Sequence, residues 1–317
     1  MSNGTGEQAA SALDHSDVTP LLTPATLERV RQGVEAARHP EVRRHIQEAL
    51  EEIGAIAEGK PDPRVSGSFR RWVMRRWLKA LFHIQIENPE YIPKESVVLV
   101  GNHLGHIDPF LLLAVVPPTP YYYILGDART LYNQSWKRWL AGWAGGVIPL
   151  ERWWKEELAV IAAAKAGQDD LQPLANDIEQ HVPNGSSIQQ LRQIDESVQA
   201  ILKRGDSLLL FPEGRLGSQE GQLHLPLKRG TVIYAIRSGV PIVPVALIGT
   251  QNLYFRKTLT VRFGKPLPLG QSKRPKRQEI DAALAQVEQA LLALLPAQYQ
   301  EPAGIKLFQG WLNHLFW

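Results

Sequence analysis

The sequence predicts an α/β protein, a layered domain with a central mixed sheet flanked by helices and a helical appendage at the N-terminal side. Three observations lead there. Short apolar runs that suit buried strands stand at residues 96–100, 207–211 and 241–248. Segments with helical spacing fall between and around them, near 109–116, 135–143, 155–165, 187–204, 227–238 and 276–294. Strands that alternate with helices favour a layered sheet, largely parallel or mixed. Before the first strand, apolar residues recur at spacings of three and four.

Residues 1–20 are polar and read as a loose tail. Thr23-Pro24 then opens a helix, with Thr as cap and Pro in the first turn. Leu27, Val30, Val34 and Ala37 share one face. Pro40 restarts the pattern with Val42, Ile46, Leu50 and Ile53, and Gly59-Lys60-Pro61 ends it. The tail and this amphipathic helix pair form a first region, residues 1–66. The main domain runs over 67–303. It opens with a basic amphipathic helix at 69–82, where Phe69, Val73, Trp77 and Ala80 fall together opposite Arg71, Arg75 and Lys79. Such a helix suits a lipid interface, and equally a core helix with snorkelling arginines. The α/β body begins at residue 84. Residues 259–263 alternate like a half-buried strand, and Pro241 and Pro244 place the 241–248 strand at an edge or a strand end. The polar stretch 166–187 reads as an insertion or a mobile loop. Residues 304–317 end the chain. As a helix they carry Ile305, Phe308, Leu312, Leu315 and Phe316 on one face, which must bury in the protein, a partner or lipid.

The composition sets limits on function. At 317 residues, 44% hydrophobic and 21% charged, the chain can bury a full core, which excludes disorder of the whole. A net charge of +3 and a pI near 9.0 fit acidic partners such as phosphate, CoA or anionic lipid, without calling for nucleic acid. With 0 cysteines, disulfides, Cys-ligated metals and a cysteine acyl intermediate are excluded. The first residues do not read as a secretory signal. The most apolar stretch, 109–125, is broken by Pro117, Pro118 and Pro120, well short of the roughly 18 apolar residues that a spanning helix needs. The expectation is a cytoplasmic protein, peripheral on the inner face of a membrane.

The residues with chemistry sit at strand ends, where open α/β sheets place their sites. Strand 96–100 runs into Gly101-Asn102-His103-Leu104-Gly105-His106-Ile107-Asp108-Pro109. A turn through Gly105 can bring the Asp108 carboxylate to one nitrogen of His103 and leave the other for substrate. A carboxylate partner fixes the tautomer and strengthens the imidazole as a base. This is a hydrolase triad without its nucleophile, a part the hydroxyl of a substrate could play. Two other readings share these residues. Asp108-Pro109 is a good helix start, Asp as cap and Pro in the first turn. His103, His106 and Asp108 could also ligate a metal, although no further ligand is identifiable, and none is assigned. After strand 207–211 come Phe211-Pro212-Glu213-Gly214-Arg215. Gly214 permits a tight backbone approach, Arg215 can grip a phosphate, and Glu213 could orient the arginine or hold a hydroxyl.

Taken together, these blocks resemble the glycerolipid acyltransferase family typified by lysophosphatidic acid acyltransferase. The resemblance rests on Asn102-His103 to Asp108, Gly146-Val147-Ile148-Pro149-Leu150-Glu151-Arg152, Phe211 to Arg215, and Val240-Pro241-Ile242-Val243-Pro244-Val245, in the family's order. Gly249-Thr250 and 263–267 extend it, so it covers roughly residues 84–270. It implies a glycerol-phosphate acyltransferase-like fold. It also implies that His103, held by Asp108, deprotonates an acceptor hydroxyl, which attacks an acyl-CoA or acyl-carrier-protein thioester with no cofactor. Asn102, Arg152, Glu213, Gly214 and Arg215 would serve substrate binding, the arginines at the acceptor's phosphate. The implied acceptor is 1-acylglycerol 3-phosphate, giving phosphatidic acid in phospholipid biosynthesis. Glycerol 3-phosphate, another lysolipid, a lipid alcohol, or a non-catalytic lipid-binding role are the alternatives. The chain departs from the pattern at Gly105, where a Ser is usual, at Arg215, which follows Gly214 directly, and at Asp127 and Arg129, near the place of a basic residue often found between the first two blocks.

Overall fold

The computed structural model describes residues 21–60, 65–185 and 188–316; the tail expected at 1–20 lies outside them. Seven strands are present: β1 (His83–Glu87), β2 (Val98–Gly101), β3 (Tyr122–Asp127), β4 (Val147–Leu150), β5 (Ser207–Leu210), β6 (Ile242–Ile248) and β7 (Thr258–Phe263). Their order in the sheet is β1-β7-β6-β2-β5-β3-β4. β2 is parallel to both β5 and β6, β3 to β5, and β1 to β7, whereas β6 and β7 are antiparallel. The sheet is therefore mixed, as expected. Contacts divide the chain into two units, one holding the described residues up to 60 with 125–197, the other 65–124 with 198–316.

In the unit of the central strands, β2 is buried along its whole length between two parallel neighbours. Its run of Val and Leu reads as continuous rather than alternating for that reason. Of the two places its prolines allowed, an edge or a strand end, β6 is not at an edge; Pro241 stands just before its first residue. Ile242 exchanges both backbone bonds with Leu267 on the β7 side of the strand. Pro244, two residues on, turns its nitrogen to that same side, and the β7 ladder starts only at the Val245–Phe263 pair. The missing N–H thus falls beyond the end of β7, where it costs no ladder bond.

Helix α3 (Gly67–Leu81) confirms the predicted helix but not its inner face. The buried stripe is Arg70, Met74 and Leu78, while Phe69 and Trp72 are exposed. Arg70 is accommodated because it donates to the Tyr122 carbonyl at 3.1 Å and lies 3.6 Å over the Tyr121 ring. Helix α4 (Asp108–Val115) packs on α3. At the chain end, helix α12 (Gln309–Leu315) covers only part of the expected face. Phe308 takes a left-handed backbone conformation at φ 59° and ends the pattern upstream. Leu312 and Phe316 bury, the latter 5.2 Å from the Trp77 ring, but Ile305, Leu307, Phe308 and Trp311 remain exposed.

In the other unit, α1 (Pro24–Arg38) starts at Thr23, whose hydroxyl caps Thr26 N–H, and α2 (Pro40–Ala57) restarts at Pro40. Both helices belong to a larger core. Val30, Val34 and Ala37 pack with Val160, Ile161 and Ala164 of α7 (Lys155–Lys165). Val42, Ile46 and Ala49 pack with Ala128 and Tyr132 of α5 (Ala128–Tyr132). The stretch 166–187, expected as an insertion or a mobile loop, contains a further helix at Gln172–His181. Ala175, Ile178 and Val182 join that same core. Leu171, Leu174, Ala175, Ile178 and Val182 recur at helical spacing among the polar residues, enough to seat a short helix on two others.

Candidate active site

β2 runs into Asn102, whose amide makes a two-way match with the backbone of Leu247 on β6. Its Nδ2 donates to the Leu247 carbonyl at 2.9 Å, and its Oδ1 accepts the Leu247 N–H at 2.7 Å. The side chain extends the ladder by one rung as the main chain leaves the sheet. Asn102 is completely buried and its amide is engaged at both ends, so it anchors the turn from within.

The turn that follows brings His103 and Asp108 together. Nδ1 of His103 lies 2.9 Å from Oδ2 of Asp108. The same oxygen accepts the N–H groups of Leu104 at 2.7 Å and Gly105 at 2.9 Å. Asp108 opens α4 but makes no cap for it; its carboxylate turns back into the loop, and Ile107 takes the cap position. Pro109 stands in the first turn as expected. Asp108 is fully buried, and its Oδ1 has no hydrogen-bond partner. With a carboxylate on Nδ1, that nitrogen carries the proton and Nε2 is the basic one. The imidazole also stacks on Phe211, ring centroids 4.1 Å apart and planes 18° from parallel. The carboxylate and the ring together fix its plane.

Glu213 enters the same construction from the end of β5. It is buried, and its two oxygens accept the N–H of His103 and of His224, each at 2.7 Å. Burial pushes its carboxyl above the ordinary carboxylate range, a shift that these two N–H groups and the His103 charge oppose. This carboxylate, expected to orient an arginine or hold a hydroxyl, braces the backbone at His103 and His224. Gly214 adopts φ 64°, which suits glycine, and its N–H bonds the Phe211 carbonyl at 3.1 Å. Arg215 follows and is exposed. The loop closes with Gly217 N–H on the His103 carbonyl at 2.6 Å.

Arg152 belongs to the other unit, where it follows β4. Its carbonyl accepts from Arg129 at 2.9 Å. Arg129 is buried against Glu157, a two-point ion pair, and lies 4.1 Å from the Trp154 ring. The Trp154 indole N–H donates to Asp127 at 2.7 Å. Where the chain departs from the family pattern, Arg129 thus holds the backbone of Arg152 and Asp127 the side chain of Trp154. The expected pair His103 and Asp108 is brought together with Glu213 and Asn102. Phe211 entered the motif by sequence, but its stacking role did not; His224 and Glu220 were not found, because both lie in a polar stretch without periodicity. Among the described residues no group of three or more His, Asp or Glu could hold a metal ion.

A mixed sheet with a carboxylate-held imidazole at the end of its central strand defines the class of this protein as α/β. Residues 83–248, more than half of the chain, match the family model described as Acyltransferase, and the chain belongs to that family. It is 35% identical over 214 residues to a 1-acyl-sn-glycerol-3-phosphate acyltransferase of Cocos nucifera, covering 68% of this chain and 54% of that protein. It is 27% identical over 228 residues to a protein of the same description from Limnanthes douglasii, covering 70% and 66%. The chain therefore spans from about half to just under two thirds of the length of these two relatives. A solved structure, the 1-acyl-sn-glycerophosphate (LPA) acyltransferase PlsC from Thermotoga maritima, is similar at a TM-score of 0.42 and 17% identity, covering 86% of this chain and 89% of that one.

Proposed function

We propose that the protein is an O-acyltransferase that moves a fatty acyl group from the thioester of acyl-CoA or acyl-carrier protein to the free hydroxyl of 1-acylglycerol 3-phosphate, forming phosphatidic acid. One observation carries the reading: His103 Nδ1 is held by Asp108 at 2.9 Å, which leaves Nε2 as the base. Nε2 takes the hydroxyl proton as the oxygen attacks the thioester carbonyl. The tetrahedral intermediate then expels the thiolate, which receives the proton from the imidazolium. Direct attack needs no nucleophile from the protein and no cofactor, in keeping with a chain of 0 cysteines. Arg152 and Arg215 are assigned to the acceptor's phosphate, which a guanidinium matches at two oxygens. Membership in the family and the descriptions of the two relatives support this choice of acceptor.

The reaction takes place at an anionic membrane surface in this reading, with the protein peripheral on the inner face. No helix among the described residues is long and apolar enough to cross a membrane. Exposed Phe69 and Trp72 on the basic helix α3, and exposed Leu307, Phe308 and Trp311 near the chain end, supply apolar contacts for such a surface.

The test is an acceptor panel with a labelled acyl thioester and purified protein: 1-acylglycerol 3-phosphate, glycerol 3-phosphate, other lysophospholipids and a lipid alcohol. The expected result is turnover chiefly with 1-acylglycerol 3-phosphate, lost in His103→Ala. Equal turnover in His103→Ala overturns the base assignment, and preference for an acceptor without phosphate overturns the arginine assignment.

A further inference from the structure

Glu220 is nearly fully buried in a polar stretch, Ser218-Gln219-Glu220-Gly221, that reads as a solvated turn. Its Oε2 accepts the N–H of Gly249 at 3.0 Å and its Oε1 that of Gln251 at 2.9 Å. These residues flank Thr250 in the loop after β6. The Gln251 side chain donates back to the Ser218 carbonyl. Three residues before Glu220, the N–H of Gly217 binds the His103 carbonyl at 2.6 Å. Segment 217–220 therefore ties the backbone of His103 to the loop that carries Thr250.

Thr250 in turn presses on the turn between His103 and Asp108. A Cβ on Gly105 would lie 2.9 Å from the Thr250 carbonyl oxygen, closer than real Cβ atoms come. Gly105 is not in the left-handed region, so space, not backbone conformation, demands a glycine there. Its N–H binds the Asp108 oxygen that faces His103. The other Asp108 oxygen and the Thr250 hydroxyl are both buried without a partner, so slack in this contact would admit water beside the carboxylate. Burial pushes the Glu220 carboxyl above its ordinary range, a shift opposed by the N–H groups of Gln251 and Gly249 and by the charge of Lys257, which reaches the Asn252 carbonyl at 2.8 Å and Glu301 at 3.0 Å.

We propose that Glu220 is a positioning residue for the His103–Asp108 pair: by holding Gly249 and Gln251 it sets Thr250 against Gly105, and so fixes the turn that presents Asp108 to the imidazole. The inference rests on the acyltransfer reading above, in which His103 is the base. It also accounts for glycine at the place where the family usually has a serine, since the Thr250 carbonyl occupies that space.

The experiment uses the full chain. Glu220→Gln keeps the shape but turns an NH2 toward one of two N–H groups. It is expected to lower kcat on the order of 10- to 100-fold, the effect of a displacement of about 1 Å at the reacting groups, with the acceptor KM within about 2-fold and the protein still folded by circular dichroism. Gly105→Ala displaces the same carbonyl and is expected to lower kcat similarly. Since both act through Thr250, the double variant is expected to lose no more than the worse single one. The imidazole proton resonances, assigned by their absence in His103→Ala, are expected to move in both single variants, whatever the turnover. Unchanged kcat and resonances in a folded Glu220→Gln overturn the proposal, as do additive losses in the double variant. If Glu220→Gln fails to fold, Gly105→Ala decides alone: unchanged kcat and resonances overturn the proposal. Full turnover in His103→Ala would instead mark failure of the assignment of His103 as base, while the resonances still report on the positioning.

Discussion

At the scale of single residues, the site works because few side chains are left to choose their own orientation. Asn102 shows the logic most simply. Its amide replaces a rung of the sheet, with Leu247 bound at both ends and no exposure to water. Asn102→Ala would leave a buried N–H and C=O unpaired, so a loss of about 1–3 kcal/mol is expected, measurable by urea unfolding. Asn102→Asp is expected to be at least as damaging, since a carboxylate there can accept from Leu247 N–H but repels its carbonyl. If Asn102→Ala kept wild-type stability and instead raised the acceptor KM, the residue would be reassigned to substrate contact.

Loops and helices meet through buried carboxylates, and two of these make predictions at the scale of elements. Glu213 joins the end of β5 to the loops at His103 and His224. Burial raises its carboxyl, so the folded chain takes up this proton at a higher pH than the unfolded chain. The sign follows: by this group alone, stability rises as pH falls through the window between the raised and the ordinary value, about 4.3. The brace loses an acceptor over the same window. Activity is therefore expected to fall on acidification before the fold is lost, and Glu213→Gln should show the loss already at neutral pH. Parallel profiles of kcat and thermal midpoint against pH check this; coincident losses would refute it. In the other unit, Glu157 of α7 neutralises Arg129 of α5, both buried. Glu157→Gln leaves a buried guanidinium uncompensated, and a loss of about 3–5 kcal/mol is expected. Because Arg129 also holds the Arg152 carbonyl, an accompanying rise in acceptor KM is expected.

For the whole molecule, the proposed membrane contact makes a prediction. Trp72 is 60% exposed and Trp311 59%, both large rings on the unit that holds His103. Trp72→Glu combined with Trp311→Glu is expected to weaken flotation with anionic vesicles several-fold while leaving turnover on a soluble short-chain acceptor unchanged. Undiminished flotation would place the membrane contact elsewhere. The grouping of residues into units is also a property of this scale. The helices of 24–57 read as an appendage, yet they share cores with 125–197, because each helix of such a pair must bury its apolar stripe against something.

The sequence by itself determined the pairing of His103 with Asp108, the strands that carry it and the starts of the first helices. These rest on local facts: a run of Val and Leu long enough for a strand, a five-residue spacing between His103 and Asp108, and prolines that admit only certain backbone positions. Tertiary structure alone decided which face of α3 turns inward, since an arginine can be buried when a carbonyl and a tyrosine ring await it. It also decided that β6 is interior and that Glu213 and Glu220 face backbone N–H groups. A buried carboxylate and a solvated one are the same letter in a sequence. What separates them is the set of donors that folding brings within about 3 Å, and those donors come from loops more than a hundred residues away from Glu213 at His103 and 29 residues away from Glu220 at Gly249.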